Sequence, residues 1–290
     1  MILYDFFISP FADYAFMRRA LVACIAIAVS GAPLGVFLVL RRMSLVGDAI
    51  SHAILPGASL AFLCFGLSLW PMALGGLIAA LLVALGAGAL ARFTQLKEDA
   101  SFTGAYLLSL AVGVMLVSLK GNSIDLMHIL FGNVLAVDHD SLIMTIGIAS
   151  FSTMVLAALY RSLVMECFDP GFLRVVHGHG GWVQQCFLML VVLNLVAAFH
   201  TLGTLMALGI MVLPSIAARF WTRSIDRTLL LAMLLAMLSA YSGLLLSYHG
   251  NVPSGSAIVL VAGSFYLISV LFGRYGSLAS RLLPHHHFTQ

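Results

Sequence analysis

A carboxylate and an imidazole stand four residues apart within a hydrophobic stretch of this sequence, at Asp48 and His52. On a helix, the i, i+4 spacing puts both side chains on one face, so they could share one cation. An ionisable residue inside a hydrophobic span is costly and by default indicates a substrate path. Pro56 has no N–H for the His52 carbonyl, so the sequence predicts a kink that frees this carbonyl beside the two side chains.

This pair offers one oxygen and one nitrogen donor, which suits divalent ions such as Zn²⁺, Mn²⁺ or Fe²⁺. Two ligands bind weakly, whereas two copies of the chain on a twofold axis would offer four. Four Asp/His donors favour tetrahedral Zn²⁺, because Mn²⁺ prefers more oxygen ligands and six-coordination. The alternative is structural: Asp48 and His52 could hydrogen-bond each other or a neighbouring helix.

Several other chemistries are excluded by missing motifs. Neither Lys97 nor Lys120 follows the glycine spacing of a P-loop, so the chain is not itself an ATPase of that type. The sequence has no H-E-x-x-H or G-x-S-x-G motif, and its four cysteines form no CxxC pair. A net charge of +3 is too small to indicate nucleic-acid binding. We therefore expect a protein that is not an enzyme and holds no tightly bound cofactor.

The composition indicates a membrane protein that must position this pair within the bilayer. Hydrophobic residues make up 62% of the chain and charged residues 9%, against roughly 25% charged in soluble domains. The mean hydropathy is +1.08. Since a span needs roughly 20 apolar residues, we predict an all-α polytopic bundle of about 8–9 transmembrane helices. The apolar runs are 20–40, 45–66, 70–91, 103–119, 141–160, 183–200, 202–218, 228–247 and 255–273.

Three regions follow from these runs: an N-terminal interfacial segment (1–17), a single transmembrane domain (18–274) and a cytoplasmic tail (275–290). Cytoplasmic loops are rich in Lys and Arg, which predicts an N-terminus outside the cell. Of the 14 basic residues, that orientation leaves Arg18, Arg19 and Lys120 outside. The other 11 would be cytoplasmic: Arg41, Arg42, Arg92, Lys97, Arg161, Arg174, Arg219, Arg223, Arg227, Arg274 and Arg281.

Two loops carry further hypotheses. On the outer side, Asp125, His128 and His139 could gather cations at the mouth of a pathway, although ordinary loop polarity also accounts for them. On the cytoplasmic side, the mixed apolar and polar pattern of Arg161–Gly181 predicts a short surface helix. Small residues at Gly31 and Gly35, Gly75 and Gly76, and Gly86 and Gly88 predict close helix packing, although the general richness of membrane helices in Gly and Ala accounts for each of them equally well.

The stretch Pro33–Ala53, which contains the Asp48/His52 pair, resembles the most recognisable motif of the permease subunits of bacterial zinc, manganese and iron ABC importers. Further matches are Lys97–Ala100, Leu130–Leu135 and Leu202–Pro214. The resemblance covers about residues 18–273. It implies the all-helical fold of the vitamin B12 and siderophore permeases.

This resemblance also implies a location, partners and site residues. Such permeases work as dimers in the bacterial inner membrane, with two ATPase subunits inside and a metal-loaded binding protein outside. The second permease could be another copy or a paralogue. Asp48 and His52 match the positions that contact the transported metal. Val212–Arg227 matches the coupling segment that docks on the ATPase, with Pro214, Arg219, Phe220, Trp221 and Arg223 as its candidate residues.

Two other classes of function remain open from the residues. A self-contained secondary metal transporter or channel would need no ATPase and would have no use for an arginine-rich docking segment. A membrane enzyme with a metal at Asp48 and His52 would lack a general-base glutamate in its spans. A neighbouring gene for a P-loop ATPase would discriminate between these classes.

Overall fold

The structure is a computed structural model that describes residues 2–66, 68–94, 98–118, 137–168 and 180–279. These residues form helices and short connections, and no β-strand occurs among them. The helices are α1 (Ile2–Phe7), α2 (Ser9–Asp13), α3 (Ala15–Leu40), α4 (Ser44–Phe65), α5 (Leu69–Phe93), α6 (Glu98–Ser118), α7 (His139–Phe168), α8 (Gly180–Leu202), α9 (Thr204–Arg219), α10 (Ile225–Gly250) and α11 (Ser254–Phe272).

Each predicted apolar run is a helix, which confirms the all-α membrane fold. Seven described helices are long and apolar enough to cross a membrane: α3, α4, α5, α7, α8, α10 and α11. The apolar part of α6 (Ala100–Leu116) and helix α9 are shorter. Helix α9 has 16 residues and therefore spans only about 24 Å at 1.5 Å per residue, less than the ~30 Å hydrocarbon core.

Helix α7 corrects one prediction. The surface helix expected over Arg161–Gly181 is wrong for residues 161–168, because these continue α7 to Phe168. Residues 169–179 lie outside the described part of the chain. The extension stays within the bundle because the carboxylate of Glu166, which is 8% exposed, pairs with the Arg41 guanidinium at 3.1 Å. An isolated carboxylate could not be buried so cheaply.

The centre of the bundle consists of α3 and α8, whose most apolar windows are each 72% buried. Polar side chains join this centre. The Ser30 hydroxyl donates to Asn194 Oδ1 at 2.6 Å, which links α3 to α8. The Ser215 hydroxyl donates to the Ala32 carbonyl at 2.9 Å, which links α9 to α3. The windows of α5, α7 and α11 are at most 28% buried, so these helices line the outside of the single chain.

Small residues allow some helices to touch, as predicted. A Cβ atom at Gly35 would overlap the Met211 backbone of α9, and one at Gly57 would overlap the Gly75 backbone of α5. At Gly86 and Gly88 no described atom of another helix lies within 4 Å, so the close packing predicted there is wrong within the described chain. Glycine in a membrane helix therefore does not by itself identify a contact.

The two ends of the bundle differ in charge. Helices α3, α7, α9 and α11 finish at one end, which we call the arginine-rich end. Its described basic side chains are Arg41, Arg42, Arg161, Arg219, Arg223, Arg227 and Arg274. At the opposite end, α1 and α2 pack on the last turns of α10: the Tyr241 hydroxyl donates to the Phe7 carbonyl at 2.9 Å, and the rings of Phe6 and His249 stack at 4.1 Å.

Candidate functional site

Helix α4 exposes one narrow stripe over its first four turns. From residue 45 to residue 59, every position is described, and all are buried except Leu45, Asp48, His52 and Gly57. The first three are spaced by three and four residues, which places them on one helix face. The acid and the imidazole predicted from the sequence therefore occupy the open face of an otherwise enclosed helix.

Asp48 and His52 lie side by side on this open face but do not form a hydrogen bond with each other. His52 Nε2 lies 3.6 Å from Asp48 Oδ1, which is beyond the usual hydrogen-bond distance. Their side chains are 34% exposed for His52 and 50% exposed for Asp48. The described residues contain no group of three or more side chains that could hold a metal ion. One described chain thus presents two donors and leaves further coordination positions free.

Tyr106 of α6 orients the imidazole, and sequence reasoning missed this residue. Its ring lies 6.1 Å from the His52 ring at an interplanar angle of 26°. His52 Nδ1 is buried and has no hydrogen-bond partner among the described residues. Aromatic contact therefore holds the ring where a hydrogen bond usually does so in metal-ligating histidines. Tyr106 lies in an apolar run of another helix, so no local pattern signals its role.

Neighbouring helices fix the position of α4. A Cβ atom at Gly113 of α6 would lie 3.1 Å from the Pro56 nitrogen, and one at Gly47 would lie 3.1 Å from the Leu208 side chain of α9. Helix α4 continues through Pro56 to Phe65. The proline leaves the His52 carbonyl without its usual i+4 donor, whereas the predicted kink stays a prediction. These close contacts set where α4 presents the pair.

The start of α4 is set by the turn that follows α3. The Arg42 N–H donates to the Val39 carbonyl at 3.2 Å and the Met43 N–H to the Leu38 carbonyl at 2.8 Å, the pattern of a Schellman motif. Arg42 occupies the left-handed position, with φ of 58°, where glycine is usual. The buried Arg41–Glu166 pair ties this turn to α7. Asp48 therefore follows a turn fixed from two sides.

The predicted coupling residues lie at the arginine-rich end, with one exception. Helix α9 ends at Arg219, a turn follows over 220–224, and α10 begins at Ile225. Arg219, Trp221 and Arg223 are exposed and Phe220 is half-buried, whereas Pro214 is buried inside α9. Pro214 can shape the helix but offers no surface to a partner. The segment Val212–Arg227 is thus a helix end, a turn and a helix start rather than a separate helix.

The last described residues hold this turn in place, which the sequence did not indicate. Trp221 Nε1 donates to Ser269 Oγ at 2.9 Å, and the Tyr275 N–H donates to the Phe220 carbonyl at 2.8 Å. The Tyr160 hydroxyl of α7 donates to Asp226 Oδ1. Helices α7, α9, α10 and α11 therefore meet at one surface.

The residues expected at the outer mouth are only partly described. His139 is exposed in the first turn of α7, next to Asp138 and Asp140. Asp125 and His128 lie outside the described residues, as do Lys97 and Leu130–Leu135 of the sequence motifs. Gathering of cations at this mouth stays a prediction.

Residues 13–273 match the ABC 3 transport family. The chain belongs to this family. The match covers both the α4 stripe and the turn between α9 and α10, and the resemblance seen in the sequence is therefore confirmed. As a member of the ABC 3 transport family, the chain is a multi-pass bacterial membrane protein, in agreement with the seven candidate spans among the described residues.

Relatives in the family are named as metal transport proteins. The chain is 32% identical to the manganese transport system membrane protein MntC of Halalkalibacterium halodurans, over 92% of this chain and 90% of the relative. It is 33% identical to the manganese import system permease protein ScaB of Streptococcus parasanguinis, over 91% and 92%. It is 32% identical to the chelated iron transport system membrane protein YfeD of Yersinia pestis, over 96% and 92%.

Two solved structures share the fold. PsaBC from Streptococcus pneumoniae in complex with Fab superposes with a TM-score of 0.84 at 29% identity, over 98% of this chain and 100% of that chain. A metal-chelate type ABC transporter in an inward-facing conformation superposes with a TM-score of 0.72, over 87% and 84%. Its identity of 13% shows a likeness of fold alone.

Proposed function

We propose that this chain is the membrane-spanning permease subunit of an ATP-driven importer for divalent metal ions. It would take the ion from an extracytoplasmic binding protein and depend on a separate cytoplasmic ATPase dimer. The observation that supports this most is the exposed stripe of α4, where Asp48 and His52 stand 50% and 34% exposed in a membrane helix. Family membership supplies the ABC context.

The exposed stripe of α4 needs to be covered by another protein. A charged carboxylate directed at lipid costs several kcal/mol, about 2.5–3.5 on insertion scales. A second permease, either another copy or a paralogue, would cover the stripe and bring two more donors. Four donors around one ion would replace much of the hydration shell that a divalent cation loses in a low-dielectric pore. The pair then forms half of a transfer site, and the metal is cargo rather than a resident cofactor.

Manganese is the cargo that we propose first. Relatives at 32–33% identity are named for manganese and one for iron, whereas the sequence argument favoured zinc. An open site with two oxygen and two nitrogen donors leaves room for water ligands, and six-coordination suits Mn²⁺. Zn²⁺ stays the alternative, to be tested by competition in the same assay.

The arginine-rich end suits a cytoplasmic ATPase. Basic residues at this end agree with the positive-inside rule, and the turn 220–224 exposes Trp221 and Arg223. A secondary transporter would have no need for this surface. The second candidate, a self-contained metal transporter or channel, therefore has less support.

Reconstitution distinguishes the two candidates. The permease would be placed in liposomes with and without its cognate ABC ATPase, to be sought among the neighbouring genes, and uptake of Mn²⁺ and Zn²⁺ would be measured with the metal-loaded binding protein and ATP. We expect uptake to require both partners and to stop with a non-hydrolysable nucleotide. Uptake of equal rate by the permease alone would refute the importer and support the channel.

A further inference from the structure

The chain directly after α11 packs on the turn that precedes α10. This C-terminal turn comprises residues 273–277 and begins at Gly273, where a Cβ atom would collide with the Cβ atom of Phe220 at 2.6 Å. The Tyr275 N–H donates to the Phe220 carbonyl at 2.8 Å. The ring of Tyr275 also lies under the Arg223 guanidinium at 4.6 Å. Two segments far apart in the sequence therefore build one surface.

The surface has an excess of positive charge. Arg219, Arg223, Arg227 and Arg274 contribute four cations, whereas Asp226 is the one carboxylate among the described residues that line it. Asp226 already accepts from the Tyr160 hydroxyl. None of the four guanidinium groups forms an ion pair with another described residue. Placing these cations close together costs energy that an incoming anion would recover.

Two cavities open on either side of Arg223 and Tyr275. One, of about 520 Å³, is lined by both residues together with Trp221, Asp226, Arg227 and Arg274. The other, of about 660 Å³, is also lined by both, and further by Arg219 and Phe220. Arg274 lies 5.8 Å from the Tyr275 ring, so one aromatic ring contacts the guanidinium groups of Arg223 and Arg274.

We propose that the C-terminal turn forms the second half of the ATPase docking surface, in which Arg274 joins Arg223 and Arg227 to bind a carboxylate side chain of the ATPase. This inference rests on the proposed function. Guanidinium groups bind carboxylates through paired hydrogen bonds, and the Tyr275 ring restricts two of them before the partner arrives. The docked ATPase would thus contact the chain after α11 as well as the turn between α9 and α10.

An anionic lipid headgroup could also bind these arginines, because it carries a phosphate or carboxylate group. The observations nevertheless favour a protein partner. Trp221 and Tyr275 line the smaller pocket together with three arginines, and this pocket shares Thr222, Arg223 and Tyr275 with the cavity beside Phe220. Six of its eight lining residues lie in the connections after α9 and α11, and the other two, Asp226 and Arg227, lie in the first turn of α10. Binding of a lipid is therefore the alternative that the experiment must distinguish from binding of the ATPase.

The experiment measures binding of the cognate ABC ATPase to the permease in nanodiscs, at two salt concentrations and with two lipids. The variants are Arg274→Glu, Tyr275→Ala and Tyr275→Phe, with Arg161→Glu, an exposed arginine of α7 that does not line either cavity, as the matched control. We expect Arg274→Glu to weaken binding at least about tenfold, and less at high salt because exposed charges are screened. Tyr275→Phe should bind more tightly than Tyr275→Ala, and Arg161→Glu should stay within about twofold of the unchanged protein.

Rescue supplies the decisive support: a charge-reversed ATPase, with one surface Glu or Asp changed to Arg, should restore binding to Arg274→Glu. If Arg274→Glu binds normally while Phe220→Ala uncouples hydrolysis from uptake, the inference is overturned and the proposed function stands. If the defect appears in phosphatidylglycerol but vanishes in phosphatidylcholine, the pocket holds a lipid and the inference is again overturned. Absence of ATPase binding to the unchanged permease would overturn both.

Discussion

At the scale of single residues, the charge of Asp48 should matter more than its shape. Asp48→Asn keeps the size and removes the anion, and a divalent ion leaving water needs negative charge as well as donors. We expect uptake to fall at least about tenfold, equivalent to about 1.4 kcal/mol, and further than in His52→Ala. The measurement is Mn²⁺ and Zn²⁺ uptake in cells that lack their own importer, with membrane abundance checked in parallel.

Leu60→Ala provides a matched control, because Leu60 lies on the same helix outside the stripe and is 54% exposed. It shortens a side chain without removing a donor, so uptake should stay close to normal. Near-normal uptake by the double variant Asp48→Asn, His52→Ala at normal abundance would show that the stripe does not carry the metal.

The sequence could predict the pair but not its surroundings. Spacing alone placed Asp48 and His52 on one face, since a helix fixes the direction of i, i+4 side chains. The contact with Tyr106 depends on how α6 packs against α4, which no local pattern encodes. The same holds for Arg41 and Glu166, whose burial depends on the ion pair in which each offsets the charge of the other. Tertiary partners therefore decide which polar residues are enclosed.

At the scale of the helices, the contact between Gly57 and Gly75 should set the stability of the site. A Cβ atom at Gly57 would overlap the α5 backbone, and forced overpacking costs typically about 1–3 kcal/mol. We expect Gly57→Ala to lower the midpoint of thermal unfolding in detergent by several degrees. Gly86→Ala adds the same methyl group where no described atom of another helix lies within 4 Å.

Because both substitutions change helix propensity alike, their difference isolates the helix contact. Equal midpoints for the two variants would contradict the close approach of α4 and α5. If Gly57→Ala lost uptake while its abundance in the membrane stayed normal, the spacing of α4 and α5 would also be needed to position His52, which lies five residues earlier on α4.

Hydropathy predicted the existence of the helices better than the residues at which they begin and end. Apolar runs identify helices in a membrane protein because lipid offers backbone groups no other partner. Their ends depend on specific side chains, however. The turn after α3 uses Arg42 in a left-handed conformation, where a glycine would have been the readable signal. Helix α7 continues beyond the predicted end at residue 160, because the ion pair with Arg41 allows Glu166 to be buried.

At the scale of the whole molecule, the distribution of arginines predicts the orientation in the membrane. A cysteine placed at Asn251 should react with a membrane-impermeant thiol reagent added outside intact cells, whereas one at Arg161 should react only after permeabilisation. The background must lack the native thiols, since Cys64 is exposed. The reverse labelling pattern would invert the molecule and place the arginine-rich end outside, away from any ATPase.

The packing of α1 and α2 on the end of α10 has a consequence for how the protein is made. The hydrogen bond between Tyr241 and Phe7 joins residues 234 positions apart. At about 5–20 residues per second of translation, the N-terminal helices must wait roughly 10–50 s for their partner to leave the ribosome. During that interval their exposed aromatic side chains, including Tyr4 and Phe6, can rest at the membrane surface. The segment of α1 and α2 is therefore synthesised long before it can reach its final position, because it can bind only after α10 has been inserted.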